Sequence, residues 1–247
     1  MTALLAAAMS LAPAAMCAAQ DTQTIQTQQS ADNTRHSEWL PEFTGVRIRA
    51  AIEIRLVKVP DSEAPRIVYD TKGVTDSKFK AQVDKSGMLN ITERIQRDSR
   101  SRTVVEVCYH TLESVDISGA EATFGQSIEQ PMLNIVVSGG GKVTAETDVV
   151  DLEVELSGKN TRAKLAGKAR YAEIAASGGV VDASALEAVS AEVTASLGAE
   201  VTVRATERIV TSASTSATVT YRGNPVIRKA RAAVLGGTVK DVSEPEN

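Results

Sequence analysis

The sequence predicts an all-β chain folded as a right-handed parallel β-helix, with about 19–20 residues per coil. Three observations carry that expectation. First, Ser-Gly recurs at Ser118-Gly119, Ser138-Gly139, Ser157-Gly158 and Ser177-Gly178, in steps of 20, 19 and 20 residues. Ser196-Leu197-Gly198 and Ser214-Thr215-Ser216 continue the rhythm in altered form. A fixed period of this size marks stacked units that bury their apolar faces only against one another. Second, the residues before each corner fall into apolar columns. Val115, Ile135, Val154, Ile174, Val193 and Thr211 form one, and Ile117, Val137, Leu156, Ala176, Ala195 and Ala213 another. Leu133, Leu152, Ala172, Ala191 and Ile209 form a third, so apolar residues lie two apart, as in a strand with one buried face. Third, 43% of the residues are hydrophobic but only 3% are aromatic, so Val, Ile, Leu and Ala must fill a thin interior. Identical strands recurring in one direction pair in parallel, and parallel crossovers take the right hand.

Taken in order, residues 1–19 are apolar, Ala-rich and uncharged. They are too short to span a bilayer and end in small residues, which predicts an export signal cleaved after Ala19. The first basic residue is Arg35, so the usual positive n-region is missing. Cys17 raises lipidation as a rival, but Ala14 and Met16 do not match the residues that precede an acylated cysteine. Residues 20–37 are polar and rich in Gln and Thr, which predicts a flexible leader. A single β-helical domain is expected over 38–243, followed by a tail at 244–247. Within it, 38–112 lacks the Ser-Gly period and is read as N-terminal strands and cap, because a solenoid must close its end against water. Val46, Ile48, Ile52, Ile54 and Leu56 alternate there, as do Phe79, Ala81 and Val83, then Leu89 and Ile91. The charged stretch holding Arg94, Arg97, Arg100 and Arg102 reads as a solvated hairpin loop. Residues 113–243 supply the regular coils. A second apolar pair in each, such as Val143 and Ala145 or Val201 and Val203, indicates two or three short strands per coil.

Several segments together resemble a bacterial family. They are Phe43-Thr44-Gly45-Val46, Ser86-Gly87-Met88-Leu89-Asn90-Ile91, the repeated Ser-Gly corners, and Tyr221-Arg222-Gly223-Asn224-Pro225. In order and spacing they are similar to the head GIN domain family, labelled autotransporter adhesins and frequent in exported proteins of Bacteroidetes. The resemblance covers roughly residues 39 to 240. It implies an exported β-helical protein with no established catalytic residues. The chain departs from the pattern at Ser196-Leu197-Gly198, at Ser214-Thr215-Ser216 and near Ala233-Val234-Leu235-Gly236.

The net charge of −4 offers no basic stripe for phosphates, which argues against nucleic acid. The two cysteines, Cys17 and Cys108, allow no zinc spacing, and Cys108 lies in a strand-like run as a small hydrophobe. The histidines are His36 and His110, and neither has a triad around it in the sequence. Gly139-Gly140-Gly141 is a turn without the Lys-Ser/Thr of a phosphate loop. One polar pattern stands out. Glu153, Glu173 and Glu192 occupy the same outward position in consecutive coils, with Glu155 two residues from the first. At a rung spacing of about 4.8 Å they form a carboxylate ladder. Such a ladder could hold a weak calcium ion, since hard cations take several carboxylate oxygens. A solvated face that discourages lateral aggregation is preferred, because the loop carbonyls of a dedicated calcium site are not evident. No catalytic, cofactor or dedicated metal residues are therefore assigned. Glycan platforms present exposed aromatics, and Trp39, Tyr69, Tyr109, Tyr171 and Tyr221 are available but sparse. The expected function is a non-catalytic exported protein of the periplasm, outer-membrane surface or medium, an adhesin or interaction module for a surface glycan or protein. The alternative is a polysaccharide lyase or hydrolase with an unrecognised acidic site.

Overall fold

The apolar alternation becomes strand after strand in a computed structural model, which describes residues 35–72, 78–94 and 102–243. The export segment with Cys17, most of the leader, Arg97, Arg100 and the tail at 244–247 lie outside the described residues. The strands are β1 (Arg35–Trp39), β2 (Gly45–Arg49), β3 (Glu53–Lys58), β4 (Arg66–Asp70), β5 (Lys78–Val83) and β6 (Met88–Arg94). They continue as β7 (Val104–Tyr109), β8 (Ser114–Ser118), β9 (Glu121–Phe124), β10 (Ile128–Ser138), β11 (Lys142–Ser157) and β12 (Arg162–Ser177). The last are β13 (Val180–Ser196), β14 (Glu200–Ser214), β15 (Thr218–Arg222), β16 (Ile227–Val234) and β17 (Thr238–Asp241). There is no helix among the described residues.

These strands wind as a parallel β-helix with two long faces. The face before the Ser-Gly corners stacks β6, β2, β8, β10, β11, β12, β13, β14 and β16 in parallel. The face after the corners stacks β7, β3, β9, β11, β12, β13, β14, β15 and β17. Strands β11 to β14 belong to both faces, because each bends midway without leaving the ladder. Where two or three short strands per coil were expected, the middle coils each hold one bent strand of 15–17 residues. The bend is visible as a break in burial phase: Val150 and Asp151 are both exposed, as are Arg170 and Tyr171.

The apolar columns pair in the register read from the sequence. Ile135 faces Val115 and Val154, Val154 faces Ile174, and the column runs on through Val193 to Thr211. All six are essentially inaccessible to solvent. At roughly 1.5–3 kcal/mol for each fully buried Val, Leu or Ile, these columns supply most of the driving force for stacking. The corners work through backbone geometry. Gly119, Gly139, Gly158, Gly178 and Gly198 have φ between 59° and 99°, the left-handed region that glycine enters without a steric cost. Where the glycine is replaced, the conformation persists: Leu197, Thr215 and Ser216 hold φ of 52°, 51° and 61°. The departures from Ser-Gly therefore keep the corner and accept local strain.

The N-terminal region is more regular than expected, and its coils are out of chain order. β2 and β3 form one coil, the chain then moves outward to build β6 and β7 on one side of it, and returns to build β8 and β9 on the other. These four early strands are in-register coils, so the atypical cap shrinks to β1, β4 and β5. β5 runs antiparallel on β6, β4 on β7, and β1 on β4. β1 begins at Arg35, so ordered strand reaches into the segment read as a flexible leader. The expected hairpin around Arg94 and Arg102 is corrected as well. β6 pairs with β2 and β5, and β7 with β3 and β4, so the two are not partners in a hairpin, and residues 95–101 between them lie outside the described residues.

Candidate functional site

Each outward position on a long strand repeats in every coil, so side chains far apart in sequence line up along the axis. Glu153 pairs in register with Glu173, and Glu173 with Glu192. The expected ladder exists, its three carboxylates are exposed, and adjacent rungs repel one another as like charges on neighbouring strands do. Asn134, one rung earlier, donates through Nδ2 to Glu153 Oε2 at 2.8 Å. One rung beyond Glu192 stands Val210, which ends the column. Glu155 is not part of it, since its register partners are Val136 and Ala175. No group of three or more His, Cys, Asp or Glu among the described residues has metal-holding geometry. Lys164 and Lys168 lie on the other side of the bend, beside Asp182 and between Asp148 and Glu187 respectively.

That last column differs in kind. Asp148, Lys168 and Glu187 alternate in sign from rung to rung, a pattern that stabilises neighbouring strands. Arg204 extends it and pairs with Glu187 at 3.7 Å. Across the bend a second column runs Met132, Asp151, Tyr171, Ser190, Arg208 and Ile227, one residue per rung. Between the two lies an open groove of about 880 Å³, with Lys168 and Glu187 on one lip and Tyr171, Ser190 and Arg208 on the other. Tyr171 is 49% exposed, and the Arg170 guanidinium sits 5.6 Å from its ring centroid. Arg208 donates to Ser190 Oγ at 3.3 Å. The sequence columns leave this groove out because they align the apolar residues before and after the corners and not the mixed residues at the bend. Writing the residues at the bend in the same columns would have placed Tyr171 beside Ser190 and Arg208.

The remaining polar groups serve the fold. His110 lies in the segment that carries the chain across the first coil, with Nε2 2.6 Å from the Glu63 carbonyl and Nδ1 3.1 Å from Glu42 Oε2. The Glu63 carbonyl, followed by the Glu42 carboxylate, outweighs partial desolvation and raises its pKa above the usual histidine value. Burial pushes the Asp116 carboxyl up, but Arg49 at 2.5 Å and Arg47 at 3.2 Å overcome this, and its net shift is downward. Asp84 accepts from Ser86, Met88 and Asn90 in the β5–β6 turn, with the Ser86 hydroxyl the largest contribution, and these bonds hold its carboxyl well below the usual range. Cys108 is buried and unbridged, and burial pushes its thiol up. The aromatics divide sharply. Tyr109 and Tyr221 are buried, Tyr69 stacks between His36 and Phe79, and Trp39 is exposed on β1. Tyr221 thus faces the interior and forms no track with Tyr171.

The family described as "Putative auto-transporter adhesin, head GIN domain" matches residues 42–225. Solved structures with a similar fold include three described as putative adhesins. The one from Bacteroides fragilis has a TM-score of 0.73 at 19% identity, covering 84% of this chain and 96% of its own. That from Parabacteroides merdae scores 0.66 at 14% identity, covering 84% and 95%. A third, from Parabacteroides distasonis, scores 0.61 at 16% identity, covering 85% and 96%. No curated protein matches the chain.

Proposed function

The chain belongs to the head GIN domain family, and we propose that it is an exported, non-catalytic surface module that binds other molecules through its β-helix faces. The adhesin description of the family supports a role at the cell surface. The observation that carries the binding reading is the groove at the bend, where outward side chains of successive rungs line one continuous surface. Such a surface offers many weak contacts over a rigid frame, which suits adhesion. The apolar segment 1–19 is read as the export signal, removed after Ala19, and Gln20 as the first residue of the working chain. No helix among the described residues is long and apolar enough to cross a membrane.

A polysaccharide lyase or hydrolase remains a second reading, because Asp148, Glu187 and Glu207 all line the same groove. The two readings separate when the chain from Gln20 is incubated with neutral and uronate-containing polysaccharides, with calcium and with chelator. Retention of a polymer at unchanged length supports the module. Chain cleavage that disappears in Glu187→Gln or Glu207→Gln, or when Glu153 and Glu173 become Gln, would establish the enzyme. Intact-mass measurement on protein from the native envelope tests export: a chain still carrying Met1, or acylated at Cys17, contradicts it.

A further inference from the structure

We propose that the groove at the bend binds a neutral linear glycan laid along the solenoid axis, with Tyr171 as its stacking platform. This rests on the surface-module reading and names its ligand class. The groove crosses the rungs rather than following a strand, so a polymer lying in it meets an equivalent coil position about every 4.8 Å. From β10 to β16 that extends over roughly 24 Å. A linear repeating chain fits such a track.

Charge selects among linear chains. Lys168, Arg170 and Arg208 line the groove together with Asp148, Glu187 and Glu207. The signs balance, so the groove has no net field to draw in a polyanion or a polycation. A sugar hydroxyl both donates and accepts, so it can use carboxylates and guanidinium groups side by side. The Tyr171 column repeats the logic along one line. Beyond the ring, Ser190 and Arg208 follow on successive rungs as a hydroxyl and a donor. A half-exposed tyrosine offers an apolar face to the C–H side of a pyranose and keeps its hydroxyl in water. An extended peptide is disfavoured, because strand addition needs a free sheet edge. At the groove the strands are paired on both sides: β12 lies between β11 and β13, and β13 between β12 and β14.

The test is affinity electrophoresis and calorimetry of the chain from Gln20 against laminarin, mannan, xylan and galactan. Polygalacturonate, alginate and a set of extended peptides serve as the other arms. At least one neutral polymer is expected to bind, with little change in affinity between about 0.05 and 0.5 M salt. Tyr171→Ala should weaken that binding by about tenfold. Tyr171→Phe should largely retain it, and Trp39→Ala should leave it unchanged. Circular dichroism of each variant confirms an intact fold. Exclusive binding of a uronate polymer with steep salt dependence, or of a peptide, overturns the ligand class and leaves the module reading standing. Neutral-polymer binding indifferent to Tyr171→Ala overturns the site alone. Failure to retain any of these probes overturns the glycan assignment, and failure on a host-protein array as well brings down the module reading.

Discussion

At the level of single residues, the corners and bends show where side chains are forbidden and where they are tolerated. Gly167 has φ of 97°, and a Cβ there would meet the Thr147 carbonyl oxygen, part of the adjacent backbone. Gly167→Ala should cost more than about 2 kcal/mol, seen as a lower urea midpoint, because neither the backbone nor its neighbour can yield. Thr215 is the opposite case, a β-branched residue held at φ 51° where other coils have glycine. An L-residue in that region costs roughly 1–2 kcal/mol, partly offset by the extra chain entropy of glycine in the unfolded state. Thr215→Gly should therefore raise stability by about 0.5–1 kcal/mol in the same titration. The sequence marked this corner as a departure from its pattern, since the residue type breaks the repeat. It could not say that the backbone would adopt the glycine conformation regardless, because the apolar columns on either side impose it. His110 carries a prediction of its own. Its raised pKa means that the bonds to Glu63 and Glu42 stabilise the fold fully below the ordinary histidine value of 6.5. That contribution is lost as pH rises through the folded-state value. Stability of the wild-type chain should fall more between pH of about 6 and about 8.5 than that of His110→Gln. Equal slopes would assign the histidine no part in holding the crossing segment.

At the level of elements, the strands are legible in the sequence because a single rule, apolar residues two apart, governs each coil separately. Pairing Ile174 with Val154 and Val193 needed only the period, and the structure keeps that register. The contrast between neighbouring positions is the sharpest test of it. Ile174→Asp would put an unpaired carboxylate into the dry core and should cost several kcal/mol, on the order of 3–5. Glu173→Gln removes only an exposed charge from a repulsive column and should shift the urea midpoint hardly at all. The reverse ranking would mean the strand is turned over. What the sequence did not disclose is the order of the early coils. β2 and β3 pair with β6 and β7 on one side and with β8 and β9 on the other, and nothing local to those strands encodes the side. The choice follows from where the antiparallel β4 and β5 close the end, which is a property of the assembled stack. The carboxylate ladder was legible because its members share a residue type. The groove mixes Tyr171, Ser190 and Arg208, so no repeated letter signals it.

At the scale of the whole solenoid, a linear period becomes a stack of coils with distinct surfaces. The face before the Ser-Gly corners bears the like-charged ladder of Glu153, Glu173 and Glu192, and the bend itself bears the charge-balanced groove. The interior is thin, with no tryptophan in it, and small residues such as Ala176, Ala195 and Ala213 bring the faces close together. A core of this kind leaves little room for a buried catalytic cavity and places chemistry on the outside of the coils. The likeness to adhesin-described structures at under a fifth identity extends to the fold. The proposed recognition takes place at the bend. Hydroxyl-radical footprinting of the chain from Gln20, saturated with the neutral polysaccharide that it binds most strongly, tests this directly. Protection is expected at Tyr171, Ile227 and Met132, with Trp39 on β1 and the exposed Leu235 corner labelled as in the free protein. Protection centred on Trp39, or on Val226 and Leu235 at the last coil, with Tyr171 still freely labelled, would contradict it.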